Sequence, residues 1–245
     1  MGLSTRDSER VGSYTTARVT GGRVERVERH ANRLRRDAGR LGLPLPARGE
    51  IESLLVREAH AAFGDGDGIV RVEWAALPGE PPQLIAATRE LGPEPPTWRA
   101  RVATTTHPGA EERNNTKFVR IGAIEEARDE LRQHAVEEVL LFDAEGRLVE
   151  GSHSNCLLVD DQGGLVTPAN RLGCVEGLGL TIVRESHPEI VEADLRLEDV
   201  KAARELLAVN CVRGVVPIET LDGRVVYEGD AGDWARRLRR LFFRD

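Results

Sequence analysis

The 245-residue chain has few cysteines, few aromatic residues and no long apolar run. Its three cysteines, Cys156, Cys174 and Cys211, have no spacing typical of a metal site and cannot all pair, which favours a reducing compartment. No apolar stretch approaches the roughly 20 residues that cross a bilayer. Residues 1–7 are polar and lack the apolar core of a secretory signal. We therefore expect a cytoplasmic protein with no membrane contact and no bound metal.

The chain also lacks an excess of basic residues. Its 41 acidic and 34 basic residues give a formal net charge of −7. A protein that binds nucleic acid through charge alone needs the opposite balance. The composition therefore argues against a nucleic-acid partner that is bound by charge alone.

Lysine is the scarcest of the basic residues, since only Lys117 and Lys201 occur among the 34. Guanidinium stays protonated and is a poor nucleophile, so a lysine in an arginine-rich chain indicates work for a primary amine. Lys201 lies in a stretch typical of an exposed helix, where either cation would serve. Lys117 follows a polar segment and precedes an apolar one, as expected at a domain junction, where ligand sites concentrate. It is the candidate catalytic residue.

Hydrophobic periodicity predicts an α+β fold in which helices alternate with hairpins. Apolar residues at intervals of three and four predict helices over 24–41, 50–62 and 178–186. Further helices are expected at 197–207 and 233–243, and strand-like runs separate them.

A polar segment with proline and glycine, residues 107–115, shows no periodicity and predicts an interdomain linker. The smaller N-terminal α/β domain would then cover residues 1–106. The larger C-terminal α/β domain would cover residues 116–245.

A hairpin loop carries the second group of candidate residues. Glu150 ends one predicted strand and Asn155 opens the next, with Gly-Ser-His-Ser between them. An ordinary polar hairpin has the same pattern. Alternatively, the carboxylate faces a ring nitrogen of a flat cofactor. A serine hydrolase is disfavoured because the chain has no Gly-x-Ser-x-Gly elbow here.

Together these segments resemble the class IV aminotransferase family of pyridoxal-phosphate (PLP) enzymes, which has PLP fold type IV. The resemblance spans nearly the whole chain in the family's order. The matching segments are Tyr14–Val19, Glu28–Leu34, Lys117, Glu150–Asn155, Leu165–Pro168, Gly173–Gly177 and Asn210–Ile218.

The resemblance implies a two-domain fold with PLP between the domains, and it implies roles for particular residues. Lys117 would form the Schiff base with PLP and later carry the substrate Cα proton. Glu150 would pair with the pyridine nitrogen, and Arg33 would bind the phosphate. Further cofactor contacts are implied for Asn155, Leu178, Gly179, Asn210 and Cys211, and substrate contacts for Thr15, Thr16 and Arg18.

The first and last matching segments resemble the 4-amino-4-deoxychorismate lyase branch, which releases 4-aminobenzoate and pyruvate for folate synthesis. The alternative is an aminotransferase that moves an amino group from branched-chain or D-amino acids to a 2-keto acid. Both act on a small amino substrate, and a homodimer is implied for both. This sequence departs from the family pattern at two places: Gly177-Leu178-Gly179 lacks a hydroxyl by which many relatives contact the phosphate, and Ile121 replaces a tyrosine or arginine. These departures bear on the substrate more than on PLP binding.

Overall fold

The computed structural model describes residues 10–113, 115–226 and 232–243. They form two compact units. The first unit contains residues up to Pro93 together with Thr116–Ile121, and the second contains Glu94–Asn115 and the chain from Gly122 onward. In the described ranges, no helix is long and apolar enough to span a bilayer.

The described residues contain seven α-helices and thirteen strands. The helices are α1 Val27–Arg40, α2 Arg48–Phe63, α3 Gly109–Arg113, α4 Gly122–His134, α5 Leu178–Ser186, α6 Leu197–Ala202 and α7 Asp233–Arg239. The strands are β1 Val11–Thr20, β2 Arg23–Val24, β3 Gly68–Ala76, β4 Gln83–Arg89, β5 Trp98–Val102, β6 Glu138–Phe142, β7 Leu148–Gly151, β8 Asn155–Val159, β9 Leu165–Pro168, β10 Val191–Ala193, β11 Glu205–Asn210, β12 Gly214–Leu221 and β13 Arg224–Val225.

The first unit is an antiparallel sheet of order β2-β1-β3-β4 with α1 and α2 packed on one face. Successive side chains of a strand point to opposite faces. Ala17 and Val19 of β1 therefore pack with Leu34 and Leu55 in the buried core, whereas Tyr14 lies on the other face. Residues 116–121 run along β1, since the Tyr14 N–H donates to the Lys117 carbonyl at 3.0 Å.

The second unit is a nine-stranded mixed sheet of order β10-β9-β8-β11-β12-β5-β6-β7, with β13 beside β12. Strand β11 is buried on both faces. Leu206 and Ala208 join one apolar cluster, and Leu207 and Val209 join the other. This doubly covered sheet holds β7 and β8, which carry Glu150 and Asn155.

Two expected boundaries differ from the structure. The helix expected over 197–207 ends at Ala202, because Ala203 is extended and Glu205–Asn210 pairs with β8 and β12 instead. Residues 107–113, expected within a linker, include α3 and belong to the second unit. Lys117 belongs to the first unit, and the division between units falls at several points of the chain.

Candidate active site

Glu150 is a carboxylate buried in the second unit, with 2% of its surface exposed. Strand β7 places it there, paired with Leu141 of β6. Its Oε2 accepts the Val175 N–H at 2.9 Å, and its Oε1 lies 3.2 Å from His107 Nε2. Both oxygens are therefore held by donors, and the carboxylate has a defined orientation.

Asn155 lies on the adjacent strand β8 and fixes the same peptide segment from its other end. Its Nδ2 donates to the Val175 carbonyl at 2.8 Å. A Cβ at Gly177 would lie 2.0 Å from Asn155 Oδ1, so the segment passes Asn155 at a distance that only glycine permits. Glu150 and Asn155 thus position the backbone that leads into α5.

Leu178 and Gly179 form the first turn of α5, beside the turn that starts at Asn210. A Cβ at Gly179 would lie 3.0 Å from the Cα and C atoms of Asn210. Asn210 Oδ1 accepts the N–H groups of Val212 and Arg213, which closes this turn. Cys211 within it is half-buried. The structure therefore brings Leu178, Gly179 and Asn210 together, and their contact with a cofactor stays a prediction.

Lys117 lies in the first unit, on a segment that is bonded to β1 and α1. Its N–H donates to Asp37 Oδ2 at 3.3 Å, and Asp37 is fully buried. Its Nζ lies 5.0 Å from the centre of the Tyr14 ring, a distance at which a cation is attracted to an aromatic face. The amine thus lies near the Tyr14 ring of β1, and its charge also acts on His30 of α1.

Arg33 of α1 is buried and reaches β1 from the helix side of the sheet. Its Nη2 donates to Thr15 Oγ1 at 2.6 Å and to the Tyr14 carbonyl at 3.2 Å. Thr15 Oγ1 also lies 2.6 Å from His30 Nδ1. Because arginine only donates, the Thr15 hydroxyl accepts a hydrogen bond from Arg33 and donates one to His30 Nδ1.

The electrostatics of His30 agree with this assignment. Burial lowers the pKa of His30 well below its ordinary value, and nearby basic side chains, Arg33 foremost, lower it further. At neutral pH the imidazole is therefore uncharged, and its Nδ1 can accept a hydrogen bond from the Thr15 hydroxyl. Thr15, expected as a substrate contact beside Thr16 and Arg18, instead lies on the other face of β1 and connects Arg33 to His30.

Thr15→Val keeps the shape of the side chain and removes the hydroxyl that joins two buried groups. We expect the free energy of unfolding to fall by about 1–3 kcal/mol, measured on the apoprotein by thermal and urea unfolding. Thr15→Ser retains the hydroxyl and is the matched control, with a smaller loss. A Thr15→Val protein as stable as wild type would show that the hydroxyl does not hold Arg33.

The sheet face away from the helices carries Arg71 of β3, the first of two residues that the sequence analysis missed. The Arg71 guanidinium carbon lies 3.7 Å from the centre of the Tyr14 ring, and Arg71 is the register partner of Thr16. Thr16 and Arg18 share this face by strand alternation. The same alternation, read from the sequence, would have separated Thr15 from Thr16.

His107 is the other missed residue, because no motif marked the histidine of a polar segment that was expected to be a linker. In the described part of the chain, no cluster of three or more side chains could hold a metal ion. The donors of the second unit suit a different group: a buried carboxylate suits a protonated ring nitrogen, and the first-turn N–H groups of α5 suit a phosphate. These residues fit PLP.

The fold and these residues define a known class of protein. Residues 12–221 match the family model of class IV amino-transferases. The chain therefore belongs to the class IV aminotransferase family, and the expected fold is confirmed.

Individual relatives are more distant. A Methanocaldococcus jannaschii protein provisionally named a branched-chain-amino-acid aminotransferase is 32% identical over 111 residues. The match covers 44% of this chain and 38% of that protein. The chain thus aligns with less than half the length of this curated relative.

Solved structures match the fold over nearly the whole chain. A Thermotoga maritima protein, provisionally named a branched-chain amino acid aminotransferase, has a TM-score of 0.83 at 22% identity, covering 99% of this chain and 89% of that one. A Legionella pneumophila protein, provisionally named a 4-amino-4-deoxychorismate lyase, has a TM-score of 0.83 at 19% identity. That match covers 97% of this chain and 92% of the Legionella chain. A Brucella abortus aminotransferase with bound PLP has a TM-score of 0.77 at 24% identity, and the match covers 94% of this chain and 87% of that one.

Proposed function

We propose that this chain is a PLP-dependent enzyme that acts on the amino group of a small substrate. The observation that carries the proposal is the Glu150 carboxylate, buried and held on both oxygens, in a chain of the class IV family. A buried carboxylate fixed in this way is suited to pair with a protonated pyridine nitrogen. The PLP-bound relative is consistent with this cofactor.

Each residue then has a role that its chemistry allows. Lys117 would supply the primary amine that holds the cofactor aldehyde, and its Nζ would be the base that takes the proton from the substrate Cα. Glu150 would keep the ring nitrogen protonated. Arg33 is a candidate phosphate ligand in the first unit, and the first-turn N–H groups of α5 are candidate phosphate donors in the second. PLP itself supplies the electron sink that makes the Cα proton removable.

We propose lyase activity on 4-amino-4-deoxychorismate as the specific reaction. The run Tyr14–Val19 supports it, because its form is that of the lyase branch. After the Cα proton leaves, enolpyruvate departs as the substrate ring becomes aromatic. We propose Thr16 and Arg18 as substrate contacts, since they share the Tyr14 face of β1.

The second candidate is amino-group transfer to a 2-keto acid, which the names of the curated and structural relatives favour. It uses Lys117 and Glu150 in the same way and differs only in where the proton is returned. A homodimer and a cytoplasmic location belong to both candidates and stay predictions.

The two reactions give different products from the same purified holoenzyme. With aminodeoxychorismate, we expect pyruvate and 4-aminobenzoate in equal amounts, measured by coupled lactate dehydrogenase and by fluorescence. With a branched-chain or D-amino acid and a 2-keto acid, we expect no amino transfer above background. Transfer without pyruvate release would overturn the lyase proposal and establish the second candidate.

A further inference from the structure

His107 is a buried histidine that the roles proposed above do not use. It lies between β5 and α3, 3% exposed, in a segment of otherwise polar and small residues. Its N–H donates to the Phe142 carbonyl at 2.8 Å, which fixes the backbone against β6. The side chain is 43 residues away from Glu150 in sequence, yet the two are in hydrogen-bonding contact.

Backbone geometry determines which nitrogen of His107 carries the proton. The Gly109 N–H donates to His107 Nδ1 at 3.0 Å, so Nδ1 is an acceptor. The single proton of the neutral ring is then on Nε2. Nε2 lies 3.2 Å from Glu150 Oε1, so His107 donates a hydrogen bond to this carboxylate.

The Val175 N–H holds the other oxygen of Glu150. One donor alone would leave the carboxylate free to turn about its Cγ–Cδ bond, whereas a donor on each oxygen fixes its plane. The two donors come from separate segments of the second unit, and both Glu150 and His107 are almost fully buried. Water therefore cannot easily replace the imidazole.

We infer that His107 is a positioning residue: it orients the Glu150 carboxylate toward the pyridine nitrogen of PLP through its Nε2–H···Oε1 hydrogen bond. This inference rests on the proposed function and adds a residue outside the set that contacts the cofactor. In metal sites, the residues that orient a ligand contribute 10- to 100-fold to affinity or activity, and we expect an effect of about that order here. The effect should appear in cofactor binding before any turnover.

Two amide variants separate the hydrogen bond from simple packing. His107→Gln places an N–H near the position of Nε2 and can still donate to Glu150. His107→Asn places its polar atoms near Nδ1, where Gly109 donates, and cannot reach Glu150. Both variants are polar and smaller than histidine, so each serves as the control of the other.

The experiment is a titration of the apoprotein with PLP and, separately, with its 1-deaza analogue, in which C–H replaces the ring nitrogen. Tryptophan fluorescence measures the binding of each compound. For His107→Asn we expect PLP affinity to fall by about tenfold or more, while affinity for the analogue changes less than about twofold, because the analogue has no nitrogen for Glu150. His107→Gln should bind both like the wild type.

The outcomes are distinct. If His107→Asn loses equal affinity for PLP and for the analogue, His107 only supports the fold. If His107→Asn loses no affinity for PLP, Glu150 needs no such partner. Either result overturns the inference. If His107→Asn does not fold, His107→Gln decides, because it must keep the wild-type preference for PLP over the analogue. Wild-type protein that binds neither compound would overturn the proposed function, and the inference would fall with it.

Discussion

Replacing Lys117 with alanine is expected to abolish covalent attachment of PLP and to lower turnover by about 10³-fold or more, since both nucleophilic attachment and proton transfer are lost. The measurement is borohydride reduction of PLP-treated protein followed by intact mass and peptide mapping. Wild-type protein should gain one phosphopyridoxyl group on the peptide that contains Lys117. Lys117→Arg keeps the positive charge and should fail in the same way, because guanidinium is a poor nucleophile.

The chain contains its own control for this experiment. Lys201, the other lysine, is exposed on α6, and Lys201→Ala should gain the same label and retain wild-type turnover. A label that persists at full yield in Lys117→Ala would mean that another amine holds the cofactor. The assignment of Lys117 would then be wrong.

The sequence predicted much of the fold, because most elements have a clear local period. Helix α5 covers Leu178–Ser186 as the apolar spacing predicted, and α1 and α2 differ from expectation by a few residues at their ends. The helix predicted over residues 197–207 was wrong beyond Ala202, for a physical reason. Its leucines and alanines favour a helix locally, but Glu205–Asn210 gains more by pairing between two strands in a doubly buried sheet.

The site was less predictable, because its supporting contacts are long-range. The motifs located Glu150 and Asn155, but nothing local indicated that both would bind the Val175 peptide. Nothing local marked His107 either, since its partner Glu150 lies 43 residues further along the chain, on β7. Motif spacing identifies residues that touch a cofactor, whereas the groups that orient them are found only when the chain is folded.

Glu138 is another residue whose supporting contacts the sequence did not indicate, and replacing it is the second substitution for which we expect a large effect. This fully buried carboxylate on β6 lies beneath the loop between Glu150 and Asn155. Its Oε1 accepts the Ser152 N–H at 2.8 Å and the Ser152 hydroxyl at 2.7 Å, and its Oε2 accepts the Ser154 hydroxyl. A Cβ at Gly151 would lie 2.6 Å from its Cδ, so the loop is closely fitted to this side chain.

The ionised form of Glu138 is favoured despite its burial. Burial raises the pKa of this carboxyl, but the charge of His153 and hydrogen bonds from His153, Ser154 and Ser152 lower it more strongly, so the net shift is downward. A carboxyl with a lowered pKa in the folded state stabilises the protein at pH values above its unfolded pKa. That stabilisation is lost as the pH falls through the lower, folded value.

Glu138→Ala is therefore expected to lower the free energy of unfolding by about 3–5 kcal/mol at neutral pH, because it leaves several buried donors without an acceptor. For a chain of this size the Tm should fall by roughly 10 °C. Glu138→Gln should lower the free energy of unfolding by less than Glu138→Ala. Its amide oxygen can still accept hydrogen bonds from Ser152, and the Ser154 hydroxyl can turn to accept one from the amide N–H. Thermal unfolding of the apoprotein measures both.

The pH dependence separates the charge of Glu138 from its shape. The stability difference between wild type and Glu138→Gln should be largest at neutral pH and should shrink below the ordinary glutamate pKa, as the wild-type carboxyl takes up a proton. Glu126→Ala, at an exposed position of α4, should change stability by less than about 0.5 kcal/mol. A stability difference between wild type and Glu138→Gln that stays constant down to acidic pH would mean that shape alone holds the loop and that the charge of the Glu138 carboxylate does not stabilise it.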